Sequence, residues 1–176
     1  MGVDFAVKTV DWNDDQRISL QLWDVAGHER YGSMTRVYYK YAIAAVIVFD
    51  LSRPVTFEAV KKWRQDLNSK VSLSNGDPIP ALLLGNKCDL PGLKISREEL
   101  DQYAHENNYI GWFETSAQDD INIDKAMKLL ITKILEVAET NHPQRDPEVL
   151  RFTSEDYLSH TGESKRSITE DEDCAC

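Results

Sequence analysis

The sequence predicts an α/β fold built on a mostly parallel sheet. Short, continuous apolar runs at 44–49 and 81–84 are typical of parallel strands buried on both faces. Segments with helical spacing separate these runs, and alternation of strands with helices predicts helices on both faces of one sheet. In addition, three short polar loops each follow a strand-like run, which is where α/β proteins place their ligands.

The segment from Val3 to Leu22 is expected to form a β-hairpin. Val3, Phe5 and Val7 alternate with polar or small residues, and the stretch 18–22 (Ile-Ser-Leu-Gln-Leu) has the same period of two. The Asn-Asp-Asp sequence at 13–15 indicates a turn between them. The pattern therefore predicts two half-buried antiparallel strands.

Three helices and one further strand follow from local signals. Pro54 favours a first helical turn, and the helix after it directs Phe57, Val60, Trp63 and Leu67 to one side. The segment 96–99 (Ser-Arg-Glu-Glu) is a capping box that begins a second helix. Residues 112–114 form a short strand-like run. In the clearest amphipathic helix, helical spacing places the following residues on one apolar face: Ile123, Ala126, Met127, Leu130, Ile131, Ile134 and Leu135.

Composition limits the class of protein. The 176 residues are 41% hydrophobic and carry a net charge of −10, which argues against a nucleic-acid partner. We expect one folded domain at 1–140 and an acidic, disordered tail at 141–176. Three cysteines with no metal-site spacing indicate a reducing compartment. Neither a secretory signal nor an apolar run of about 20 residues, the length that spans a bilayer, occurs in the sequence.

The three polar loops are the candidate site. They are 23–27 (Trp-Asp-Val-Ala-Gly), 86–89 (Asn-Lys-Cys-Asp) and 115–117 (Thr-Ser-Ala). Because each follows a strand, all three are expected on one rim of the sheet. Each sequence alone is weak evidence, because Asn-Lys-x-Asp is a common turn and the other two are short and carry little information. The combination, in this order and each after a strand, indicates a guanine-nucleotide site.

Each loop has a chemical interpretation. Asp89 can accept two hydrogen bonds from the ring N–H and exocyclic amine of guanine, a donor pair that adenine lacks. The stem of Lys87 can pack along the base, and Asn86 can tie neighbouring loops together. Asp24 can hold Mg²⁺ through a water molecule. Backbone N–H groups complete the predicted set. Those of Ser116 and Ala117, beside Thr115, can meet the guanine oxygen, and that of Gly27 can meet a terminal phosphate.

The chain resembles the Rab branch of small GTPases. The resemblance rests on 2–5 (Gly-Val-Asp-Phe), 22–30 (Leu-Trp-Asp-Val-Ala-Gly-His-Glu-Arg) and 38–42 (Tyr-Tyr-Lys-Tyr-Ala), and it extends to about residue 138. The stretches 33–39 and 111–117, with 121–123 close behind, are similar to the Rab subgroup of lysosome-related organelles and phagosome maturation. This implies a P-loop NTPase-like small GTPase fold.

The resemblance also implies a function. The implied protein is a switch in membrane trafficking that binds GTP or GDP together with Mg²⁺. GTP orders its switch segments, and hydrolysis releases them. The implied partners are effectors, an exchange factor, an activating protein, a prenylation escort and a GDP-dissociation inhibitor. The implied location is the cytoplasmic face of endosomal and lysosome-related membranes, with a cytosolic pool. The implied effector surface consists of Phe5, Trp23, Tyr31, Met34 and Tyr38.

Two departures from the family pattern stand out. His28 occupies the position of the glutamine that orients the attacking water, which predicts slow hydrolysis, although His28 can equally be a plain exposed loop residue. In addition, no Gly-x₄-Gly-Lys-Ser/Thr occurs in the sequence. The family's first strand, phosphate loop, first helix and switch threonine are not found, which suggests a truncated gene model or transcript. We expect weak nucleotide binding, and instability where strand edges lack a neighbour.

The final residues resemble a lipidation signal. Cys174-Ala175-Cys176 is similar to the Rab terminus on which both cysteines carry geranylgeranyl groups. The acidic run at 170–173 should oppose attraction to an anionic membrane, so anchoring is expected to need both lipids. Two alternatives remain at this stage, a nucleotide-independent module that binds effectors or prenylation chaperones and a nonfunctional product.

Overall fold

A computed structural model describes residues 3–14, 16–25, 39, 42–92 and 95–141. The strands are β1 (Val3–Asp11), β2 (Arg17–Val25), β3 (Ala45–Asp50), β4 (Ala81–Asn86) and β5 (Trp112–Glu114). The helices are α1 (Pro54–Lys70), α2 (Arg97–Glu106) and α3 (Ile123–Asn141). The predicted α/β class and the order of its elements are confirmed.

The N-terminal strands form the predicted hairpin. β1 and β2 pair antiparallel from Val3↔Val25 to Asp11↔Arg17. Their burial matches the prediction only in part: Val10, Ile18 and Leu20 are half-buried, but Phe5 is 46% and Trp23 52% exposed. The reason is that β1 and β2 pair only with each other in the part of the chain that the structure describes, and of the hairpin only Val25 packs against the main core.

The parallel sheet has the order β3-β4-β5. β3 pairs β4 from Ala45↔Ala81 to Asp50↔Asn86, and β4 pairs β5. β4 lies in the middle and is buried on both faces, as predicted. β3 departs from the prediction because Val48 is 57% exposed. In this sheet β3 is an edge strand, and the described helix on that face reaches Val46 but leaves Val48 uncovered.

Helices cover both faces of the parallel sheet. On one face Val60 and Leu67 of α1 and Leu100 of α2 share a core with Ile47, Phe49 and Leu83. On the other, Ala126 and Leu130 of α3 pack with Leu82 and Leu84. The Ser96 cap is confirmed, since the Glu99 N–H donates to Ser96 Oγ at 3.1 Å. None of the described helices has the length and apolar character needed to cross a membrane.

Candidate nucleotide-binding site

Two of the three predicted loops meet at the carboxyl ends of β4 and β5. Asn86 Oδ1 accepts from the Ala117 N–H at 3.2 Å and lies 3.4 Å from the Thr115 hydroxyl. The Cys88 N–H also donates to the Thr115 carbonyl at 3.0 Å. The predicted tie by Asn86 is thus present, and the loops 86–89 and 115–117 form one continuous rim.

Lys87 is held in an unusual conformation on this rim. Its backbone φ of 67° lies in the left-handed region, which residues other than glycine rarely adopt. Its Nζ lies 3.0 Å from Asp50 Oδ2. Asp50 ends β3 and lies in register with Asn86. The long side chain of Lys87 therefore crosses from the end of β4 to the end of β3.

Asp50 is itself fixed by Ser52. Asp50 Oδ1 accepts from the Ser52 N–H at 2.9 Å and from the Ser52 hydroxyl at 2.6 Å. The hydrogen bond from the Ser52 hydroxyl is the largest influence on the pKa of Asp50 and lowers it. Desolvation opposes this, but the Lys87 ammonium adds to the lowering, so the pKa of Asp50 stays below its usual value. A carboxylate with these partners is a firm anchor for the lysine.

Asp89 has a different environment. It is half-buried, and its carboxylate accepts no hydrogen bond and forms no ion pair with any residue that the structure describes. No described residue therefore competes with a ligand for its two carboxylate oxygens. The carboxylate can accept the ring N–H and the exocyclic amine of guanine together.

The backbone donors predicted for the guanine oxygen already have protein acceptors. The Ser116 N–H donates to the Ile121 carbonyl at 3.2 Å, and the fully buried Ser116 also accepts from the Asp119 N–H through its Oγ at 3.1 Å. Ser116 thus stabilises its own loop. The Ala117 N–H donates to Asn86 Oδ1, so a guanine oxygen would have to replace that acceptor.

Asp24 lies at the carboxyl end of β2 and is exposed. It pairs in register with Asp4, so two acidic side chains stand opposite each other. No hydrogen bond or ion pair joins Asp24 to the two rim loops within the described residues, nor do three metal-ligating side chains converge anywhere among them. A single carboxylate suits Mg²⁺, which usually retains waters and binds substrate phosphates, but the described residues alone supply no complete site.

Several predicted site residues fall outside the described part of the chain. They are Gly27, His28, Tyr31, Met34, Tyr38, Cys174 and Cys176. Of the predicted effector surface, Phe5 and Trp23 are described. Their rings contact across the hairpin with centroids 4.7 Å apart, and both are exposed.

Asp50 was not predicted as a site residue. Its place in the chain could have indicated a site residue, because Asp50 ends a parallel strand as Asn86 does. Parallel strands bring their carboxyl ends to one edge of the sheet. Ser52 follows as the residue that fixes it. Neither residue lies in a recognisable motif, so only the topology could have indicated them.

Comparison with known proteins places this geometry in a family. Residues 1–136 match the model of the Ras family. The chain is 62% identical over 148 residues to the Ras-related protein Rab-32B of Dictyostelium discoideum, covering 84% of this chain and 57% of the relative. It is 53% identical over 150 residues to human Rab-32, covering 85% of this chain and 66% of the relative.

A third relative belongs to the same group. Human Rab-7L1 is 50% identical over 135 residues, covering 77% of this chain and 66% of the relative. The chain thus spans 57–66% of the length of these three proteins. The chain belongs to the Ras family and, within its Rab branch, to the subgroup of Rab-32, Rab-32B and Rab-7L1.

Proposed function

We propose that this chain binds the guanine base of GTP or GDP on the rim formed by residues 86–89 and 115–117, and that it acts as a GTP-binding switch in membrane trafficking. The observation that supports this best is the hydrogen bond from the Ala117 N–H to Asn86 Oδ1, which joins two loops of different strands. Membership of the Ras family and its Rab branch supports the same function.

In this proposal the base is recognised by three contacts. The carboxylate of Asp89 accepts the two donors on one edge of guanine. The stem of Lys87, whose Nζ is anchored on Asp50, packs along the plane of the base. The Ala117 N–H turns from Asn86 to the guanine oxygen. Adenine would leave the Asp89 carboxylate unpaired in a half-buried position, which disfavours it strongly.

The phosphate end of the ligand is the weaker part of the proposal. Asp24 would hold Mg²⁺ through a water molecule, and the Gly27 N–H would meet the terminal phosphate. These 176 residues contain no glycine-rich phosphate-binding loop, so we expect a protein made of them alone to bind nucleotide weakly. His28 in place of glutamine is expected to give slow hydrolysis, which single-turnover assays of His28→Gln against the parent chain would check.

We also propose that the chain works at endosomal and lysosome-related membranes. Geranylgeranyl groups on Cys174 and Cys176 would anchor it, since two lipids give stable binding where one gives only marginal binding. Full membrane retention of a Cys174→Ser chain would contradict this. The proposed partners are effectors reading the surface around Phe5 and Trp23, an exchange factor, an activating protein, a prenylation escort and a GDP-dissociation inhibitor.

A second candidate function is a nucleotide-independent module that binds effectors. The observation favouring it is that the exposed pair of Phe5 and Trp23 lies on a hairpin whose backbone pairs with no other described strand. Such a surface can exist without any ligand on the rim. Effector binding that does not change with nucleotide, or on substitution of Asp89, would favour this candidate.

The test of the guanine site is a competition assay with Asp89→Asn. Asparagine offers an N–H₂ donor where Asp89 offers an acceptor, so it matches xanthine, which has an oxygen in place of the exocyclic amine of guanine. The parent chain should prefer guanosine over xanthosine and adenosine nucleotides, and the variant should reverse the first preference. The change in the guanosine-to-xanthosine ratio should be at least about 100-fold.

Asp119→Asn serves as the matched control. Asp119 lies exposed in the neighbouring loop, and its replacement makes the same change of charge. The control should keep the preference of the parent chain. Equal binding of guanosine and adenosine nucleotides by the parent would contradict the guanine site. Micromolar or tighter, magnesium-dependent binding would instead contradict the expected weakness of the phosphate end.

A further inference from the structure

An arginine and a glutamate form a two-pronged ion pair beside the loop 115–117. Arg97 Nε donates to Glu114 Oε1 at 2.9 Å, and Arg97 Nη2 donates to Glu114 Oε2 at 2.5 Å. Arg97 is the first residue of α2, and Glu114 is the last residue of β5, directly before Thr115. The side chain of Glu114 is only 18% exposed, whereas that of Arg97 is 72% exposed. The pair therefore joins the start of a helix to the strand end that leads into the rim.

The position of Arg97 is not one that its own helix favours. The amino end of a helix carries a partial positive charge, so acidic side chains stabilise the first turn and a cation there is disfavoured. The next two residues, Glu98 and Glu99, follow this rule. Arg97 does not, and its guanidinium instead makes two parallel charge-assisted hydrogen bonds to one carboxylate. The contact with Glu114 thus accounts for an arginine at this point of the chain.

Glu114 is held at its backbone as well. Asn122, whose backbone φ is 57°, donates from Nδ2 to the Glu114 carbonyl at 2.8 Å. This second contact matters because β5 is only three residues long and, among the described strands, pairs with β4 alone. Short elements with few contacts open locally at a low cost in free energy. Arg97 and Asn122 therefore fix the residue from which the loop 115–117 leaves the sheet.

The position of Glu114 passes to the rim through the residues that follow it. Thr115 and Ser116 are almost completely buried, so their backbone cannot shift unless their packed side chains move too. Beyond them the Ala117 N–H lies 3.2 Å from Asn86 Oδ1. A displacement of Glu114 would therefore move the backbone donor that we propose for the guanine oxygen.

We propose that Arg97 is a positioning residue for the guanine base, which acts through Glu114 to hold the Ala117 N–H where it can donate to the guanine oxygen. This role rests on the proposed nucleotide function and adds to it a residue outside the three loops. It differs from the role of Asp89, which reads the ring N–H and the exocyclic amine. Loss of Arg97 should therefore weaken recognition of the oxygen and leave recognition of the amine unchanged.

The experiment measures the affinity of the full chain, with Mg²⁺, for GDP and for two analogues. In 6-thio-GDP a sulfur, which is a weaker hydrogen-bond acceptor, replaces the guanine oxygen, and inosine diphosphate lacks the exocyclic amine. In Arg97→Gln the affinity for GDP should fall about 3–10-fold, and the preference for GDP over 6-thio-GDP should fall by a similar factor. The preference for GDP over inosine diphosphate, which reports on Asp89, should equal that of the parent chain.

Two further variants serve as controls. Arg97→Lys keeps the charge but cannot make both parallel hydrogen bonds, so it should lose less affinity than Arg97→Gln. Arg17 lies at the start of β2 and forms an exposed ion pair with Asp11, with Arg17 Nε 2.7 Å from Asp11 Oδ1. Arg17→Gln therefore removes an arginine–carboxylate pair away from the rim, and this variant should bind all three nucleotides as the parent does.

A second measurement needs no nucleotide. In the free chain the Ala117 amide, followed by NMR, should exchange with solvent at least about threefold faster in Arg97→Gln than in the parent or in Arg17→Gln. Unchanged exchange would overturn the proposal, as would an equal loss of affinity for all three nucleotides, which would make Arg97 a general support of the fold. A parent chain that selects GDP while Arg97→Gln keeps both preferences would overturn this role alone. A parent chain without any preference among the nucleotides would overturn the guanine site as well.

Discussion

At the scale of single residues, the candidate site depends on a carboxylate outside the loops that read the base. Asp50 accepts from the Ser52 backbone N–H and hydroxyl, and it holds Lys87 Nζ at 3.0 Å. This contact accompanies the left-handed backbone of Lys87, whose φ is 67°. The lysine that would lie along the base thus depends on a neighbouring strand for its position.

Replacing Asp50 with asparagine should lower the stability of the folded chain. The variant keeps the shape but loses the charge-assisted contact with Lys87, and since Lys87 is half exposed we expect a loss of about 1 kcal/mol at pH 7. The pKa of Asp50 is lowered in the folded state, so its contribution is present above the unfolded pKa of about 4 and is lost as the pH falls through the folded value.

Urea unfolding of the parent chain and Asp50→Asn at neutral and acidic pH would check this. The difference between them should shrink steadily below about pH 4, because protonation removes the same charge from the parent. Glu58→Gln is the control, since Glu58 is an exposed acid of α1 with no hydrogen bond or ion pair among the described residues. A difference that stays constant down to the acid limit would show that charge is not the cause.

Sequence reasoning reached some residues of this site and missed others for physical reasons. The tie by Asn86 was predictable because an amide after a parallel strand faces the next loop on the same rim. Asp50 obeys the same rule but belongs to no motif. The engagement of the Ser116 N–H by Ile121 was not predictable, since it depends on a turn in which Asp120 and Asn122 both have positive φ.

At the scale of elements, the close packing of β4 against its neighbours depends on a glycine. A Cβ at Gly85 would lie 2.8 Å from Leu51 Cδ2, 3.0 Å from Leu51 Cγ and 3.1 Å from Phe49 Cζ. Both neighbours are buried in the main core, so neither has free space to move into. The residue just before Asn86 must therefore be small for the rim to keep its place.

Gly85→Ala should destabilise the chain by about 1–3 kcal/mol, the usual cost of overpacking a core. Gly111→Ala is the matched comparison. Its Cβ would meet only the end of the Leu129 side chain, at 2.9 Å, and Leu129 is partly exposed and can rotate away. We expect that variant to stay within about 1 kcal/mol of the parent. Urea midpoints measure both, and equal losses would contradict the argument.

The elements also show where pattern reasoning fails. The period of two in β1 and β2 correctly predicted strands, but it cannot state whether a partner covers them, and Phe5 and Trp23 are about half exposed. Within α1, the apolar side predicted from Phe57, Val60, Trp63 and Leu67 also contains the buried Arg64. A charged residue at a core-facing position was visible in the sequence, but the apolar pattern alone could not show that Arg64 is buried together with its neighbours.

At the scale of the whole molecule, the described strands fall into two sheets. The hairpin pairs only with itself, and β3-β4-β5 form the other sheet. Among the described strands, β2 and β3 are therefore not direct neighbours. Most of the buried core belongs to the parallel sheet and its helices, while the hairpin contributes Val25 to it.

Hydrogen exchange should therefore separate the two sheets. An isolated two-stranded hairpin is marginally stable, and local openings have lower free energies where few apolar contacts must break. Amides of β4, which is paired on both sides and fully covered, should exchange at least about tenfold more slowly than those in the middle of β1 and β2. Exchange of peptides covering 81–86 and 3–11, followed by mass spectrometry, measures this.

The Gly85→Ala variant supplies the internal control for this measurement. It weakens the packing around β4 without touching the hairpin, so it should speed exchange in 81–86 and leave 3–11 nearly unchanged. Equal protection of both segments in the parent chain, with parallel acceleration in the variant, would mean that the hairpin opens only together with the parallel sheet. In that case the contact through Val25 would couple the two sheets more strongly than its burial indicates.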